Sequence, residues 1–542
     1  MTTTVVEVLW KALAKWDVQR AFGVSGDAIF PLLDALGKEP SIQYIGAVSE
    51  AGAAFMAGGE ARVTGRLGLC VATSGPGAVN LANGVADAYR DGIPLLVITG
   101  QVETAKMATA AKQYIDQQQL FAPITGMTVM LTRPESTVDV LKAAMEKAIG
   151  DSVPCQISIP QDIQSSPVPL SPVQSSPTAK MIDIPLLTAP SPPGITGDLE
   201  QAARLIDGAR RPVLIAGRAA LPFRDRVLAL AEKVNAAIIP AQGARGIFPA
   251  MERRFIGGLG EAHIPGPLQQ ADMVLLIGAS PFEHKYIPAS IPVVQIEMSP
   301  HRLAHSLRPY PLTGDVGRIL RQLSDAVRQS APESGWIREI EQAHEDFLTM
   351  IRDEASGEKG TDINPPLVVS LINDLLPDDA IIAVDTGEFM HWFDRGFLPK
   401  AQQVLISEYW RPMGAGLPFG IGAQAAAPGK KVVVLTGDGG MNIALPEMIT
   451  AVRHRLPVVS IVFHDSEYAL EKHRMQKQGM LPVGADITTP DYAAVAAACG
   501  AEGILVKEKS QLPGALAKAL AASTHQPVVV DIVMKSLRPA FL

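Results

Sequence analysis

Short runs of apolar residues alternate along the chain with segments in which apolar residues recur every three or four positions. Runs such as Leu67–Ala72, Leu95–Thr99 and Val432–Thr436 have the continuous apolar character of strands buried on both faces of a parallel sheet. Several of them lead through a glycine-rich turn into a segment with helical spacing. The alternation predicts an α/β fold built from doubly wound parallel sheets.

One stretch, Val432–Tyr468, combines this pattern with candidate chemistry. Its first strand leads into Gly437-Asp438-Gly439-Gly440, where glycines let the backbone turn sharply and approach a ligand closely. A single helical segment is predicted next, from apolar residues at helical spacing: Ile443, Leu445, Met448, Ile449 and Val452. A second apolar strand then ends at His464-Asp465.

An acidic residue therefore stands at the carboxyl end of each of these two strands. Ligands of open α/β sheets bind at those ends, so Asp438 and Asp465 could hold one hard cation through their carboxylate oxygens. The glycine turn at a helix N-terminus would suit the phosphate groups of the same ligand. The alternative is an ordinary turn at the glycines and a helix cap at His464-Asp465, and the motif alone leaves both readings open.

Length and composition limit the classes of function. A chain of 542 residues exceeds one hydrophobic core and predicts about three domains. The net charge of −8, without a basic cluster, argues against nucleic acid or an anionic membrane surface as a partner. Three scattered cysteines, an N-terminal segment that resembles a helix more than a signal peptide, and the lack of an apolar run long enough to cross a bilayer predict a soluble, cytoplasmic protein.

A second candidate site lies in the first third of the chain. Glu50 follows a short predicted strand, Ile42–Val48, and precedes a helix rich in alanine, glycine and methionine. A carboxyl group with small and apolar neighbours could share a proton with a nitrogen atom of a ligand. A helix-capping role is the simpler reading for a lone glutamate. A tight turn at Thr73–Gly77 leads into another helix, which reaches Asn80.

These motifs together resemble the thiamine diphosphate enzymes, and within them the group of pyruvate oxidases and acetolactate synthases. The resemblance rests on Glu50 with the AGAAFMAGGEARVTGR segment that follows it, on TSGPGAVN (Thr73–Asn80), on ITGQV (Ile98–Val102) and on the GDG motif with Asp465. It covers nearly the whole chain in the order of the family.

The resemblance implies three α/β domains, each a doubly wound parallel sheet. Residues 1–170 resemble the pyrimidine-binding domain, and residues 196–330 resemble the central domain. Residues 360–542 resemble the pyrophosphate-binding domain. A Pro/Ser-rich linker is predicted at 171–195 and a charged helical connector at 331–359.

The resemblance also assigns roles to residues. Asp438 and Asp465 would bind Mg²⁺ together with a backbone carbonyl near Glu467, and Met413 would support the bent cofactor. Glu50 would hydrogen-bond the pyrimidine ring, and Gln113 would approach the substrate. Further contacts to thiamine diphosphate are expected from Ser25, Gly26, Pro76, Asn80, Glu388, Arg411, Gly437, Gly439, Gly440 and Tyr468.

Four departures from the usual pattern of the family stand out. Asp465 replaces the usual asparagine and brings a further negative charge to a diphosphate site. Ser49 stands where histidine is common, and Ser25 stands where proline is frequent. Lys112-Gln113-Tyr114 replaces Phe-Gln-Glu and keeps only the glutamine. Three of these changes fall near the substrate, which predicts a non-standard substrate.

The implied reaction is cleavage of a C–C bond in a 2-oxo acid such as pyruvate, with transfer of the acyl carbanion to a flavin, a second carbonyl or a proton. The alternatives are a lyase or carboligase that acts on 2-hydroxyacyl-CoA or aldehydes, and a homologue that binds thiamine diphosphate without turnover. FAD is a further possibility: Gly278–Tyr286 falls where a flavin contact would lie, whereas Ala219 replaces a frequent glycine. The family pattern implies a homodimer or homotetramer, with Glu50 and the diphosphate site of one cofactor on different subunits.

Overall fold

The computed structural model describes residues 3–169, 194–279, 282–328, 335–356, 362–521 and 526–539. The predicted linker at 171–195 lies almost entirely outside these ranges. The described residues contain three sheets in which all pairings between neighbouring strands are parallel, and helices flank each sheet. The predicted α/β fold with three parallel-sheet domains is confirmed.

The first sheet has six strands in the order β2-β1-β3-β4-β6-β5. Its strands are β1 (Arg20–Gly23), β2 (Gln43–Gly46), β3 (Gly68–Ala72), β4 (Leu95–Gln101), β5 (Met127–Met130) and β6 (Pro154–Pro160). The helices of this part are α1 (Val5–Lys15), α2 (Phe30–Leu36), α3 (Glu50–Thr64), α4 (Pro76–Asp91), α5 (Gln117–Phe121), α6 (Thr137–Asp151) and α7 (Gln161–Gln164). Every residue of β3, β4 and β6 is buried, as their apolar sequences predict.

The central sheet has five strands in the order β11-β10-β9-β7-β8. Its strands are β7 (Pro212–Ala216), β8 (Ala237–Pro240), β9 (Met273–Ile277), β10 (Val293–Glu297) and β11 (Tyr310–Thr313). The accompanying helices are α8 (Leu199–Asp207), α9 (Arg224–Val234), α10 (Gly266–Gln269) and α11 (Val316–Ala326), and α12 (Trp336–Ser356) follows within the predicted connector. Two apolar clusters cover the two faces of this sheet.

The third sheet has six strands in the order β13-β12-β14-β15-β17-β16. Its strands are β12 (Ile381–Val384), β13 (Gln403–Ile406), β14 (Val432–Gly437), β15 (Val459–His464), β16 (Glu502–Val506) and β17 (Val528–Val533). The helices are α13 (Pro365–Leu375), α14 (Glu388–Gly396), α15 (Gly416–Ala426), α16 (Asp438–Ala444), α17 (Glu447–Arg453), α18 (Ala469–Lys477), α19 (Tyr492–Ala498) and α20 (Leu512–Ala521).

The strand order fixes where ligands can bind. In the first sheet the order reverses between β1 and β3, and in the third it reverses between β12 and β14. Loops diverge at such a switch point and leave a crevice at the carboxyl ends of the strands. The turn after β1, the turn after β3 and the GDGG turn after β14 therefore all lie at switch points.

By density of contacts the chain divides into two units, each described by itself below. One contains residues 1–191, 418–427 and 444–456, and so includes the first sheet. The other contains residues 192–417, 428–443 and 457–542, with the central and third sheets. No helix within the described ranges is long and apolar enough to span a membrane.

The prediction of one helix after the GDGG turn was wrong. Two short helices, α16 and α17, replace it, and Pro446 lies between them at the N-cap of α17. Proline has no N–H to donate and its ring collides with the preceding turn, so a helix cannot continue through it. Ile443 and Ile449, two of the apolar residues at helical spacing, are 55% and 42% exposed.

Candidate active site

The acidic residues at the ends of β14 and β15 meet as predicted. The Oδ2 atom of Asp438 accepts hydrogen bonds from the backbone N–H groups of Asp465 (3.1 Å) and Ser466 (2.5 Å). Its Oδ1 atom accepts from the N–H of Gly439 at 2.7 Å. Because β14 and β15 are paired neighbours, their carboxyl ends lie side by side. The turn after each strand thus brings one carboxylate to the same place.

Burial raises the pKa of both carboxyl groups, and the charge of Asp438 adds to the shift at Asp465. The pKa of Asp465 is raised to about 8. Among the described residues, no three His, Cys, Asp or Glu side chains gather as a complete metal site. The pair offers two oxygen ligands, so a cation here must take the rest from backbone, water or a ligand. Mg²⁺ with phosphate oxygens suits that donor set.

The side chain of Glu467 is bound to two other residues. One carboxylate oxygen forms an ion pair with Lys472, and the other accepts from the hydroxyl of Ser536 at 3.0 Å. Both carboxylate oxygens therefore have partners outside the acidic pair. This leaves the backbone carbonyl as the group of Glu467 that fits the predicted third metal ligand.

Two glycines of the GDGG turn, Gly439 and Gly440, have no room for a side chain. A Cβ on Gly439 would lie 2.5 Å from the ring of Tyr468, and a Cβ on Gly440 would collide with the carboxylate of Asp385. The predicted residues Gly437, Asp438, Gly439, Gly440 and Tyr468 line one narrow cleft, together with Met413 and Glu388. Close backbone approach at this turn suits the binding of a phosphate group.

Asp385 organises this cleft, although the sequence analysis did not single it out. It lies at the carboxyl end of β12, on the other side of the switch point, and is 2% exposed. Its carboxylate accepts hydrogen bonds from the N–H groups of Thr386 and Gly414 and from the hydroxyl of Thr436. Burial raises the pKa of Asp385 to about 6. The bonds to Gly414 fix the loop that carries Met413.

Glu388 and Arg411 occupy different surroundings. Burial, with Glu467 and Glu471 nearby, raises the pKa of Glu388 to about 8, and its carboxylate lies 2.7 Å from Nδ1 of His473. Arg411, in contrast, donates to the side chain of Gln242 at 2.6 Å and to the carbonyl of Glu408. Its guanidinium is thus engaged in a second network, and its predicted contact with the cofactor stays a prediction.

The other predicted half of the site lies in the unit that contains the first sheet. Glu50 is the first residue of α3, and the side-chain amide of Asn80 donates to its Oε2 atom at 3.0 Å. A Cβ on Gly77 would lie 3.2 Å from Oε1 of Glu50, so the start of α4 packs directly on this carboxylate. The structure therefore brings Glu50, Asn80 and the turn at Pro76 together.

Glu447 anchors the turn that presents Glu50, and nothing in the sequence pattern pointed to it. Its carboxylate accepts from the backbone N–H and hydroxyl of Ser49 at 2.9 and 2.8 Å, and from the N–H of Val48 at 3.2 Å. Glu447 is 3% exposed. A buried carboxylate with this many donors holds the residues before α3 in one conformation.

Gly26 and Gln113 contact the turn after β3, and Ser25 precedes Gly26 in the turn after β1. A Cβ on Gly26 would lie 2.5 Å from Thr73, so the turns after β1 and β3 touch across the switch point. Gln113 has a positive φ of 64° and packs against Gly75, whose own φ is 57°. Only glycine fits easily at position 75, because of both its conformation and this contact.

Comparison with protein families matches the chain in three segments. Residues 3–120 match the thiamine pyrophosphate enzyme N-terminal TPP binding domain, residues 199–323 match the central domain, and residues 385–532 match the C-terminal TPP binding domain. The chain belongs to the thiamine pyrophosphate enzyme family. The predicted resemblance is confirmed.

Individual relatives in the thiamine pyrophosphate enzyme family align over most of their length. The thiamine pyrophosphate-containing protein YdaP of Bacillus subtilis is 28% identical over 99% of this chain and 92% of its own. The large subunit of acetolactate synthase isozyme 1 of Escherichia coli is 30% identical over 86% of this chain and 82% of its own. Pyruvate oxidase of Lactiplantibacillus plantarum is 25% identical over 98% and 88%, respectively.

The central domain gives less support to a flavin. Gly278, at the end of β9, has a φ of 58°, and a Cβ there would lie 2.6 Å from that of Ala219. The loops after β7 and β9 thus touch at the switch point of this sheet, where a dinucleotide would lie between them. FAD stays a prediction from the resemblance alone.

Proposed function

We propose that the protein binds thiamine diphosphate and Mg²⁺ and cleaves the bond between the carboxylate and the carbonyl carbon of a 2-oxo acid. The acyl carbanion then passes to an acceptor, as in an oxidase or an acetolactate synthase. The observation that carries this proposal is the pair Asp438–Asp465 at the GDGG turn, a buried and a half-buried carboxylate that form no ion pair with lysine or arginine in the described ranges. The retained Glu50–Asn80 hydrogen bond supports it.

The residues would have three roles: binding the metal, orienting the cofactor and holding a proton. Thiamine diphosphate, when bound, supplies an electron sink for the carbanion left by C–C cleavage. The carboxylates of Asp438 and Asp465 would hold Mg²⁺, and the backbone of the GDGG turn would approach the phosphates. Met413 would pack against the cofactor. Glu50 would hold a proton against a ring nitrogen, with Asn80 fixing its carboxylate.

The decisive experiment is release of labelled CO₂ from carboxyl-labelled pyruvate. It is run with thiamine diphosphate and Mg²⁺, with and without a redox dye, and its control omits the cofactor. Release that requires the dye supports an oxidase, and release without it supports a synthase or decarboxylase. Absorbance of the purified protein near 450 nm would reveal a bound flavin. A protein that binds thiamine diphosphate but releases no CO₂ from any 2-oxo acid would refute the proposal.

We also propose that the enzyme is a homodimer or homotetramer in which Glu50 of one subunit and Asp438 of another serve the same cofactor. Family membership and the retention of both residues support this arrangement. Light scattering gives the number of subunits, and hybrids of inactive variants test the shared site.

A further inference from the structure

A second cavity, of about 590 Å³, opens in the unit that contains the first sheet. Its walls come from the turns after β1, β3 and β4 and from the segment that carries Lys112 and Gln113. The polar side chains in it include those of Asp27, Ser74, Lys106, Lys112 and Gln113.

The turn after β3 joins this cavity to the carboxylate of Glu50. Ser74 lines the cavity, and a Cβ on Gly75 would lie 2.7 to 3.0 Å from the carbonyl oxygen, Cβ and Cα of Gln113. A Cβ on Gly77 would lie 3.2 Å from Oε1 of Glu50, and the Cα atoms of Gly75 and Gly77 are at most about 7 Å apart. Gln113 and Glu50 therefore contact the same short turn, and Lys112 is the chain neighbour of Gln113.

The Lys112 segment is held in place by its backbone. The N–H of Tyr114 bonds to the carbonyl of Ala111 at 3.2 Å, and the side chain of Gln101 donates to the carbonyl of Ile115 at 2.9 Å. Gln101 is fully buried at the end of β4. The segment that carries Lys112 is thus tied to β4 through Ile115, while Lys112 itself is exposed.

Lys112 differs from the other charged residues of the cavity because it has no partner. Lys106 forms an ion pair with Glu103 at 2.9 Å. Asp27 accepts hydrogen bonds from the N–H of Ala28 at 2.9 Å and the hydroxyl of Thr73 at 3.4 Å. No hydrogen bond or ion pair joins Lys112 to any other residue in the described ranges.

We propose that Lys112 binds an oxyanion other than the carboxylate that is lost. This inference rests on the proposed function. An ammonium group on a flexible stem acts as a point charge and accepts a carboxylate, sulfonate or phosphate without strict geometry. The anion is carried on the far end of the 2-oxo acid or is a separate phosphate ion beside it.

The test compares two 2-oxo acids of similar length with the holoenzyme. 2-Oxoglutarate ends in a carboxylate and 2-oxohexanoate ends in a methyl group. We expect the wild type to favour 2-oxoglutarate in kcat/KM by about fivefold or more, and K112M to lose this preference by raising KM for 2-oxoglutarate alone. K112R should keep most of it. K106M is the matched control, since its ammonium is already paired, and should shift the preference less.

Phosphate distinguishes the two sources of the anion. If the anion is a separate ion, added inorganic phosphate accelerates pyruvate turnover in the wild type and not in K112M, and 2-oxoglutarate has no advantage. Equal losses for charged and uncharged substrates in K112M, without a phosphate effect, would overturn the inference.

Failure of the proposed function would look different, because no 2-oxo acid would then release CO₂. Calorimetric titration of the holoenzyme with glutarate and with pentanoate still decides the role of Lys112 in that case. Tighter binding of glutarate that K112M abolishes supports the anion site. Equal binding of the two acids to the wild type contradicts it.

Discussion

At the scale of single residues, the acidic pair determines how the protein responds to pH. The pKa of Asp465 is raised to about 8 in the folded chain, from an ordinary value of 3.8. Between these values the folded chain without metal holds more protons than the unfolded chain. Its free energy of unfolding therefore falls as pH rises from about 4 to about 8.

D465N should flatten this dependence in the metal-free protein, because the amide does not ionise. The slope will not vanish, since burial also raises the pKa of Glu388 to about 8. Denaturant unfolding at several pH values between 5 and 8.5 measures it. Parallel curves for wild type and D465N would show that Asp465 does not carry the raised pKa.

The proton on Asp465 must also leave before a cation can bind. Mg²⁺ affinity should consequently rise with pH up to about 8 and level off above it, a trend that D465N should weaken. Calorimetric titration with Mg²⁺ at fixed thiamine diphosphate checks this. An affinity that is independent of pH in the wild type would contradict the assignment of Asp465 as a ligand.

At the scale of elements, the loop after β15 depends on His464. Its Nδ1 lies 2.8 Å from the buried carboxylate of Asp531 on β17, and its Nε2 lies 2.8 Å from the hydroxyl of Thr489. Thr489 in turn lies 2.9 Å from the hydroxyl of Ser466, whose N–H bonds to Asp438. The imidazole thus fixes the loop that positions both acidic residues.

H464A should weaken Mg²⁺ binding by about 10- to 100-fold while leaving the fold intact, as loss of an outer partner does in other metal sites. H454A is the control, because His454 contacts the carbonyl of Gly46 in the unit with the first sheet. The same Mg²⁺ affinity in H464A and the wild type would remove His464 from the metal site.

Two helices that begin at the Glu50 site are joined at their other ends. Arg62 on α3 bonds to Asp87 and Asp91 on α4 at 2.8 and 2.9 Å, and all three side chains are at most 1% exposed. R62M would remove the guanidinium that neutralises two buried carboxylates and should lower the free energy of unfolding by about 3–5 kcal/mol. K147M, which loses an exposed pair with Asp151, should change it by less than about 1 kcal/mol. Similar effects of the two substitutions would contradict the role of the buried cluster.

The strands and the acids at their ends could be predicted from sequence because a strand buried on both faces is apolar throughout. The roles of Asp385 and Glu447 could not, since their partners are backbone groups from other parts of the chain. The exposure of Ile443 could not be predicted from sequence either. Periodicity identifies an apolar face, but only the packing of whole elements decides which face is covered.

At the scale of the whole molecule, Glu50 and Asp438 fall in different units of the chain. Family membership is shown by three matched segments that span most of the sequence. The reaction, the metal and the sharing of one cofactor by two subunits are proposals that depend on both Glu50 and Asp438. One measurement that requires both residues therefore tests all of them.

That measurement is CO₂ release by a hybrid of two inactive variants. E50Q and D438N, each alone, should lose about 10²- to 10⁴-fold in rate. Co-expressed with different affinity tags and purified as a hybrid dimer, they should regain about half of the wild-type rate, because one of two symmetric sites is then intact. A hybrid as inactive as its parents would contradict the shared site, and full activity of E50Q alone would contradict the proposed chemistry.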